Sequence, residues 1–248
     1  MERGAHCEDD AGIAGWTQTG LASRVRQFDA LWKEHKPAEG RWLDIGCGAG
    51  TYTRMLHAQG LDVLGIDYSA PSLQKARERS DAAIPWLAAD LHHLPLADAS
   101  ADGVLCFGVM QALSGPEPAL AEIHRVLKPG GEVWVDALNA RCLPTAIREY
   151  RRRRAGHAPH LRYDQPEDFM RSAVAAGFKN AELFWLPLVP RRLGLLQGLL
   201  ESRPSKGLLQ SVPSVGAPLS HSFILRARRA EDPNSPSRLT REPAPAPA

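Results

Sequence analysis

The segment Arg41-Trp42-Leu43-Asp44-Ile45-Gly46-Cys47-Gly48-Ala49-Gly50-Thr51, followed by Asp67 at the end of the next apolar run, decides the fold. Trp42, Leu43 and Ile45 make a short apolar strand. Gly46, Gly48 and Gly50 break it at alternating positions, and Thr51 to Gln59 then reads as a helix stopped by Gly60. The pattern is strand, tight turn, helix. Glycine suits such a turn because the chain must visit angles that a side chain forbids, and because a ligand can then lie directly on the main chain. A tight strand-to-helix connection that holds nothing has the same pattern.

Asp44 separates the ligands such a loop can take. In a dinucleotide site the loop receives a pyrophosphate, which a carboxylate pointing into the same crevice would repel. The spacing Gly46-x-Gly48-x-Gly50 is also tighter than the dinucleotide pattern. A cofactor with a cationic head suits Asp44 better. S-adenosyl-L-methionine carries an ammonium and a sulfonium, and its carboxylate can sit against backbone donors at a helix start.

Outward from this segment the pattern keeps alternating. Strands are expected at 41–45, 62–66, 85–88, 103–107 and 132–136, with helices at 51–59, 70–79 and 117–127 between them. That rhythm implies an α/β fold with a doubly wound, parallel sheet. Ser69 before Ala70-Pro71 can cap one helix, and Lys128-Pro129-Gly130-Gly131 ends another. Upstream, Leu21, Val25, Phe28 and Leu31 or Trp32 recur at helical spacing between Leu21 and Lys36, which places an amphipathic helix against the sheet. Downstream, Pro166 to Ala176 reads as a helix with proline and acids in its first turn, followed by strands at 181–188 and 220–226. The expected organisation is a loose N-terminus over residues 1–15 and a single domain over 16–229. Lid-like insertions fall near 139–165 and 189–219, and a disordered, proline-rich tail follows from residue 230.

The chain of 248 residues has 44% hydrophobic content and a formal net charge of +2, enough apolar material for one such domain and too little excess base to indicate nucleic acid. Cys7, Cys47, Cys106 and Cys142 show no paired metal spacing, so no metal is expected, and a reducing cytoplasm is the simplest setting. No secretory leader or apolar stretch of spanning length is read from the sequence.

The ordered set Leu43-Asp44-Ile45-Gly46-Cys47-Gly48-Ala49-Gly50, Gly65-Ile66-Asp67-Tyr68-Ser69, Ala89-Asp90-Leu91 with Leu94-Pro95-Leu96, and Leu127-Lys128-Pro129-Gly130-Gly131 resembles a known family. It is similar to class I S-adenosylmethionine-dependent methyltransferases, in the small-molecule branch that includes ubiquinone/menaquinone-type enzymes. The resemblance covers residues 38–138 and continues more weakly to about 228. It implies a Rossmann-like, mainly parallel seven-stranded sheet with an antiparallel last strand and helices on both faces. It also implies S-adenosyl-L-methionine as cofactor. Gly46, Cys47, Gly48 and Gly50 would lie under the methionine moiety with Asp44 toward its amino group. Asp67 would accept from the ribose hydroxyls, Asp90 and the backbone of Leu91 would meet the adenine, and Tyr68 and Phe107 would complete the set.

Methyl transfer from a sulfonium is an in-line displacement, so positioning can supply most of the catalysis. No residue stands out as a base. His93, beside His92, and Gln111 at the end of the fourth strand are the weak candidates, while Trp16 and Tyr68 offer aromatic faces to the cation. The segment Cys106-Phe107-Gly108-Val109 lacks the Asn/Asp-Pro-Pro-aromatic signature of enzymes that methylate adenine or glutamine amines. The expected acceptor is a small molecule. An anionic or amphipathic one would suit the run Arg148, Arg151 to Arg154 and the stripe Leu193, Leu196, Leu200, which also allow peripheral membrane contact. Two other readings compete: a cofactor-binding regulatory module or inactive paralogue, and an RNA methyltransferase that uses the arginines from Arg148 to Arg154.

Overall fold

The computed structural model describes residues 18–157, 161–187 and 203–231. The expectations for Trp16, for the Leu193–Leu200 stripe and for most of the tail lie outside them. Helix α1 (Gln18–His35) leads into β1 (Arg41–Ile45), α2 (Thr51–His57), β2 (Asp62–Asp67), α3 (Ala70–Glu78), β3 (Trp86–Ala88) and β4 (Ala101–Cys106). A single 3-10 turn (Met110–Ala112) precedes α4 (Glu117–Val126), β5 (Leu127–Leu138), α5 (Leu143–Arg154) and α6 (Pro166–Ala175). Strand β6 (Phe178–Pro187), α7 (Arg203–Ser211), α8 (Pro213–Leu219) and β7 (Ser220–Arg229) close the order.

The strands form one seven-stranded sheet in the order β3-β2-β1-β4-β5-β7-β6. Strands β1 to β5 are parallel, and β7 runs antiparallel between β5 and β6. Alternate residues of each central strand face opposite layers, so the sheet carries two cores. On one face Leu43, Ile45, Leu64, Ile66, Val104 and Val133 pack with Leu120 and Ile123 of α4 and Phe169 of α6. On the other, Trp42, Val63, Leu105 and Trp134 meet Phe28 and Trp32 of α1. The aromatic rings there stand edge to face, with Phe28 and Phe107 4.8 Å apart and Trp32 and Trp42 4.7 Å apart.

Two elements differ from the sequence reading. Strand β5 begins at Leu127 rather than Glu132, because its ladder with β4 jumps from Ala101↔Leu127 to Gly103↔Glu132 and leaves Lys128 to Gly131 as a bulge. Asp102 pins that bulge by accepting from Lys128 Nζ at 2.8 Å and from the Arg41 N–H at 3.0 Å. The expected insertion near 139–165 contains the regular helix α5, whose apolar residues face outward.

Candidate functional site

Strand order reverses between β1 and β4, so their C-terminal ends open the crevice in which doubly wound folds bind ligands. The glycine loop after β1 forms one wall. Gly46, Gly48 and Gly50 have φ of +74°, +54° and +82°, all in the left-handed region. A Cβ on Gly46 would lie 2.0 Å from Val109 Cγ2, and one on Gly50 would lie 2.4 Å from the Trp86 ring. The loop is therefore clamped between the segment after β4 and strand β3.

Four of its amide hydrogens are already engaged. Gly46 N and Cys47 N donate to Ile66 O at 2.7 and 3.0 Å, Gly50 N to Cys47 O at 2.8 Å, and Gly48 N to Asp67 Oδ2 at 2.8 Å. A polyanion would thus meet bonded donors backed by two carboxylates. Asp67 also accepts the Ser69 N–H on Oδ1 at 2.8 Å. Each carboxylate oxygen keeps a further lone pair, so two more hydroxyl donors can still be taken. Tyr68 beside it is 79% exposed.

Asp44 departs from the open carboxylate that the sequence suggests. It is 1% exposed beneath the loop, where Thr53 Oγ1 donates to its Oδ2 at 2.5 Å. Burial, with a smaller repulsive contribution from Asp67, outweighs that hydrogen bond and pushes the acid up to about 7. Cys47 is also buried, its thiol held well above the usual range by burial, so it offers main chain to the crevice. Phe107 turns its ring into the core. Its side chain is 7% exposed and packs on Phe28 and Tyr52, and its carbonyl lies beside Gly46.

Past β3, Asp90 Oδ1 accepts the His92 N–H and faces His92 Nδ1, each at 2.9 Å, bonds that hold its carboxyl below the usual range. The side chain stays about half exposed at 52%. Leu91 is buried, and His93 is exposed on the turn, where its N–H donates to Asp90 O at 3.0 Å. Gln111 is different. It is 8% exposed, and its Oε1 is buried with no hydrogen-bond partner. An unmatched buried acceptor costs about 1–3 kcal/mol.

The sequence reading missed a second constellation. Arg24 of α1 donates to Asp136 Oδ2 and, at 2.5 Å, to Ser222 Oγ, while Asp136 Oδ1 accepts the Gly108 N–H at 2.7 Å. The side chains of Arg24 and Asp136 are 4% and 1% exposed. Burial pushes the nearby Tyr52 phenol up to about 12. His221, with the Thr145 hydroxyl 3.0 Å from Nδ1, is drawn down to about 4 by burial and by the charges of Arg24 and Arg148. A signal existed in the sequence: Asp44, Asp67 and Asp136 each follow an apolar run near the C-terminal end of a strand. Among the described residues no group of acidic, histidine or cysteine side chains could hold a metal ion.

A doubly wound sheet with one antiparallel strand, a clamped glycine loop and acids at the strand ends defines the class I, Rossmann-like methyltransferase architecture. Residues 43–135 match the family described as methyltransferase domain. A malonyl-[acyl-carrier protein] O-methyltransferase of Pseudescherichia vulneris is 38% identical over 111 residues, 45% of this chain and 43% of that protein. A demethylmenaquinone methyltransferase of Renibacterium salmoninarum is 39% identical over 95 residues, 38% of this chain and 40% of that protein. The matched stretch thus spans less than half the length of these curated relatives. Among solved structures, a Thermotoga maritima S-adenosylmethionine-dependent methyltransferase superposes with a TM-score of 0.59 at 21% identity, covering 84% of this chain and 91% of that one. Haemonchus contortus phosphoethanolamine N-methyltransferase 2 in complex with S-adenosyl-L-methionine gives 0.60 at 21% identity, covering 91% and 61%. These likenesses concern the fold.

Proposed function

We propose that the protein binds S-adenosyl-L-methionine in this crevice and transfers its methyl group to a small-molecule acceptor by in-line displacement. One observation carries the reading: the amides of Gly46, Cys47, Gly48 and Gly50 are bonded to Ile66, Asp67 and Cys47 while Asp44 and Asp67 stand beside them, an arrangement suited to a cation and hostile to a pyrophosphate. Asp67, with lone pairs left over, would accept from the ribose hydroxyls, and Asp90 with the Leu91 main chain would face the adenine. Asp44 would act through its field from beneath the loop, because Thr53 and the glycines separate it from solvent. The bound cofactor supplies an activated methyl group. The chain's own work is then to orient two ligands and exclude water.

His93, on its exposed turn, has nothing that fixes its ring toward the crevice, and Gln111 has no proton-accepting chemistry at neutral pH. Gln111 fits a positioning role instead, its unmatched Oε1 accepting a donor from a bound ligand. The names of the curated relatives support an anionic or amphipathic acceptor, as does the arginine-rich segment from Arg148 to Arg154.

Calorimetry with S-adenosyl-L-methionine, S-adenosylhomocysteine and NAD tests the cofactor side. The first two are expected to bind and NAD to fail. Asp67→Ala is expected to weaken both by about 10- to 100-fold, the worth of hydrogen bonds to a charged group. Absence of S-adenosyl-L-methionine binding would overturn the proposal. Binding without methyl release across a broad set of carboxylate, phenol, quinone and amine acceptors would instead favour the regulatory module.

A further inference from the structure

Helix α5 is built inside out. At about 100° per residue, Leu143, Ile147 and Tyr150 fall within an arc of about 60°, and Thr145, Glu149 and Arg152 occupy the opposite face. It is the polar face that meets the protein. Thr145 is buried, and Glu149 and Arg152 are partly covered, their Oε1 and Nε 4.0 Å apart. The apolar face points away, with Leu143 58%, Ile147 52% and Tyr150 61% exposed. Arg151, Arg153 and Arg154 are exposed too, and Arg154 lies 6.0 Å from the centre of the Tyr150 ring. An open groove of about 360 Å³ runs along one flank, lined by Pro144, Ile147, Arg148, Arg151, Arg152 and His157.

A helix that turns apolar side chains outward and flanks them with arginines matches the two-part chemistry of a lipid interface. Apolar groups enter the acyl boundary, while guanidinium groups on flexible stems rise to the phosphates. An acidic soluble partner would have to bring an apolar patch of matching shape as well as charge to cover Leu143 and Ile147, whereas a bilayer supplies both without a matched surface. We propose that α5 docks the protein peripherally on a bilayer containing anionic phospholipid, with headgroup phosphates met by the exposed arginines that flank its apolar face. The contact is peripheral, since among the described residues no helix is long and apolar enough to cross a membrane. This surface does not depend on the methyltransferase reading. It would nonetheless bring an amphipathic acceptor to the same molecule.

Co-sedimentation of the full chain with vesicles of phosphatidylcholine alone and with 30 mol% phosphatidylglycerol tests it. Binding is expected to the anionic vesicles, to be at least tenfold weaker to the neutral ones, and to fall steeply with salt. Arg151→Glu and Arg154→Glu should each weaken it by about fivefold or more. Ile147→Asp/Tyr150→Asp should abolish it while thermal unfolding and cofactor binding stay unchanged, which separates docking from folding and from the active site. Three results overturn the proposal: equal partitioning to both vesicle types, vesicle binding that survives the double variant, or no vesicle binding together with a concentration-dependent dimer that the double variant dissolves. A salt-sensitive complex with an acidic carrier protein in the absence of vesicle binding would likewise assign the face to a protein partner.

Discussion

Asp44 gains its chemistry from where the main chain puts it. Under the glycine loop its acid is raised from 3.8 to about 7, chiefly by burial. Between roughly pH 4 and 7 the folded protein therefore holds a proton that the unfolded chain has released. Stability falls with rising pH across that window by up to about 1.4 kcal/mol per pH unit and levels off above it. Denaturant unfolding of Asp44→Asn at pH 5 and pH 8 is expected to lose this slope. A slope that survives assigns it to other groups. If the cofactor's cationic head sits above the loop, the same residue makes S-adenosyl-L-methionine bind more tightly as pH rises through 7 and release a proton on binding at pH 6. Calorimetry in two buffers of different ionisation enthalpy reads that proton, and Asp44→Asn should abolish it. Gly46 supplies the complementary steric experiment. Gly46→Ala has a left-handed φ of +74° and a Cβ 2.0 Å from Val109 Cγ2, so strain and overpacking together should cost about 2–5 kcal/mol. Adding Val109→Ala should restore the packing part and leave the backbone part.

At the scale of elements, the strand β1, its loop and α2 could be read directly because their signals are local: an apolar run, permissive glycines, a stop at Gly60. The cap at Ser69 is local as well, its Oγ accepting the Ser72 N–H at 3.3 Å, and Ser69→Ala should lower stability by about 1 kcal/mol in a denaturation curve. Helix α1 was legible as a helix but not in its buried face. Phe28 and Trp32 are in the core as their spacing requires, yet Ser23, Arg24 and Gln27 are buried beside them, while Leu21 and Val25 are only partly covered. The partners that make those polar burials tolerable, Asp136, Ser222 and the Pro187 carbonyl, lie more than a hundred residues downstream. Periodicity within one helix carries no information about them. Helix α5 carries Leu143, Ile147 and Tyr150 at helical spacing, but periodicity finds a face without saying whether it points inward, and this one points out. The glycine loop and the acids at the strand ends were legible because backbone geometry constrains glycine and because each aspartate interrupts an apolar run. The contacts of Arg24, Asp136, Ser222, Thr145 and His221 join α1, β5, α5 and β7, and no local pattern announces them.

For the molecule as a whole, the Arg24–Asp136 pair ties the first described helix to three other parts of the fold. Asp136 interrupts the apolar run of β5 and holds Gly108 after β4, while Arg24 reaches Ser222 in β7. The pair thus fixes α1 across the crevice end of the sheet. A buried ion pair is not in itself a strong source of stability, because the desolvation of both charges offsets their attraction, but removing one partner leaves the other charge uncompensated. Arg24→Met should therefore cost about 3–5 kcal/mol, a melting shift of about 2–4 °C for each kcal/mol in a protein of this size. Arg24→Met/Asp136→Asn should recover most of that loss, because the amide oxygen can still accept the Gly108 N–H with no buried charge left behind. The single variant's deficit should also shrink on acidification, since protonation of a stranded Asp136 removes the charge, whereas a purely steric defect at Arg24 would persist unchanged from pH 8 to pH 5. If the double variant is as unstable as the single one, the pair's role is the packing of the arginine stem against α1's neighbours. If the deficit vanishes in the double variant while cofactor affinity still falls, the charges serve to orient the loop after β4, and that loop, through Val109, bears directly on Gly46.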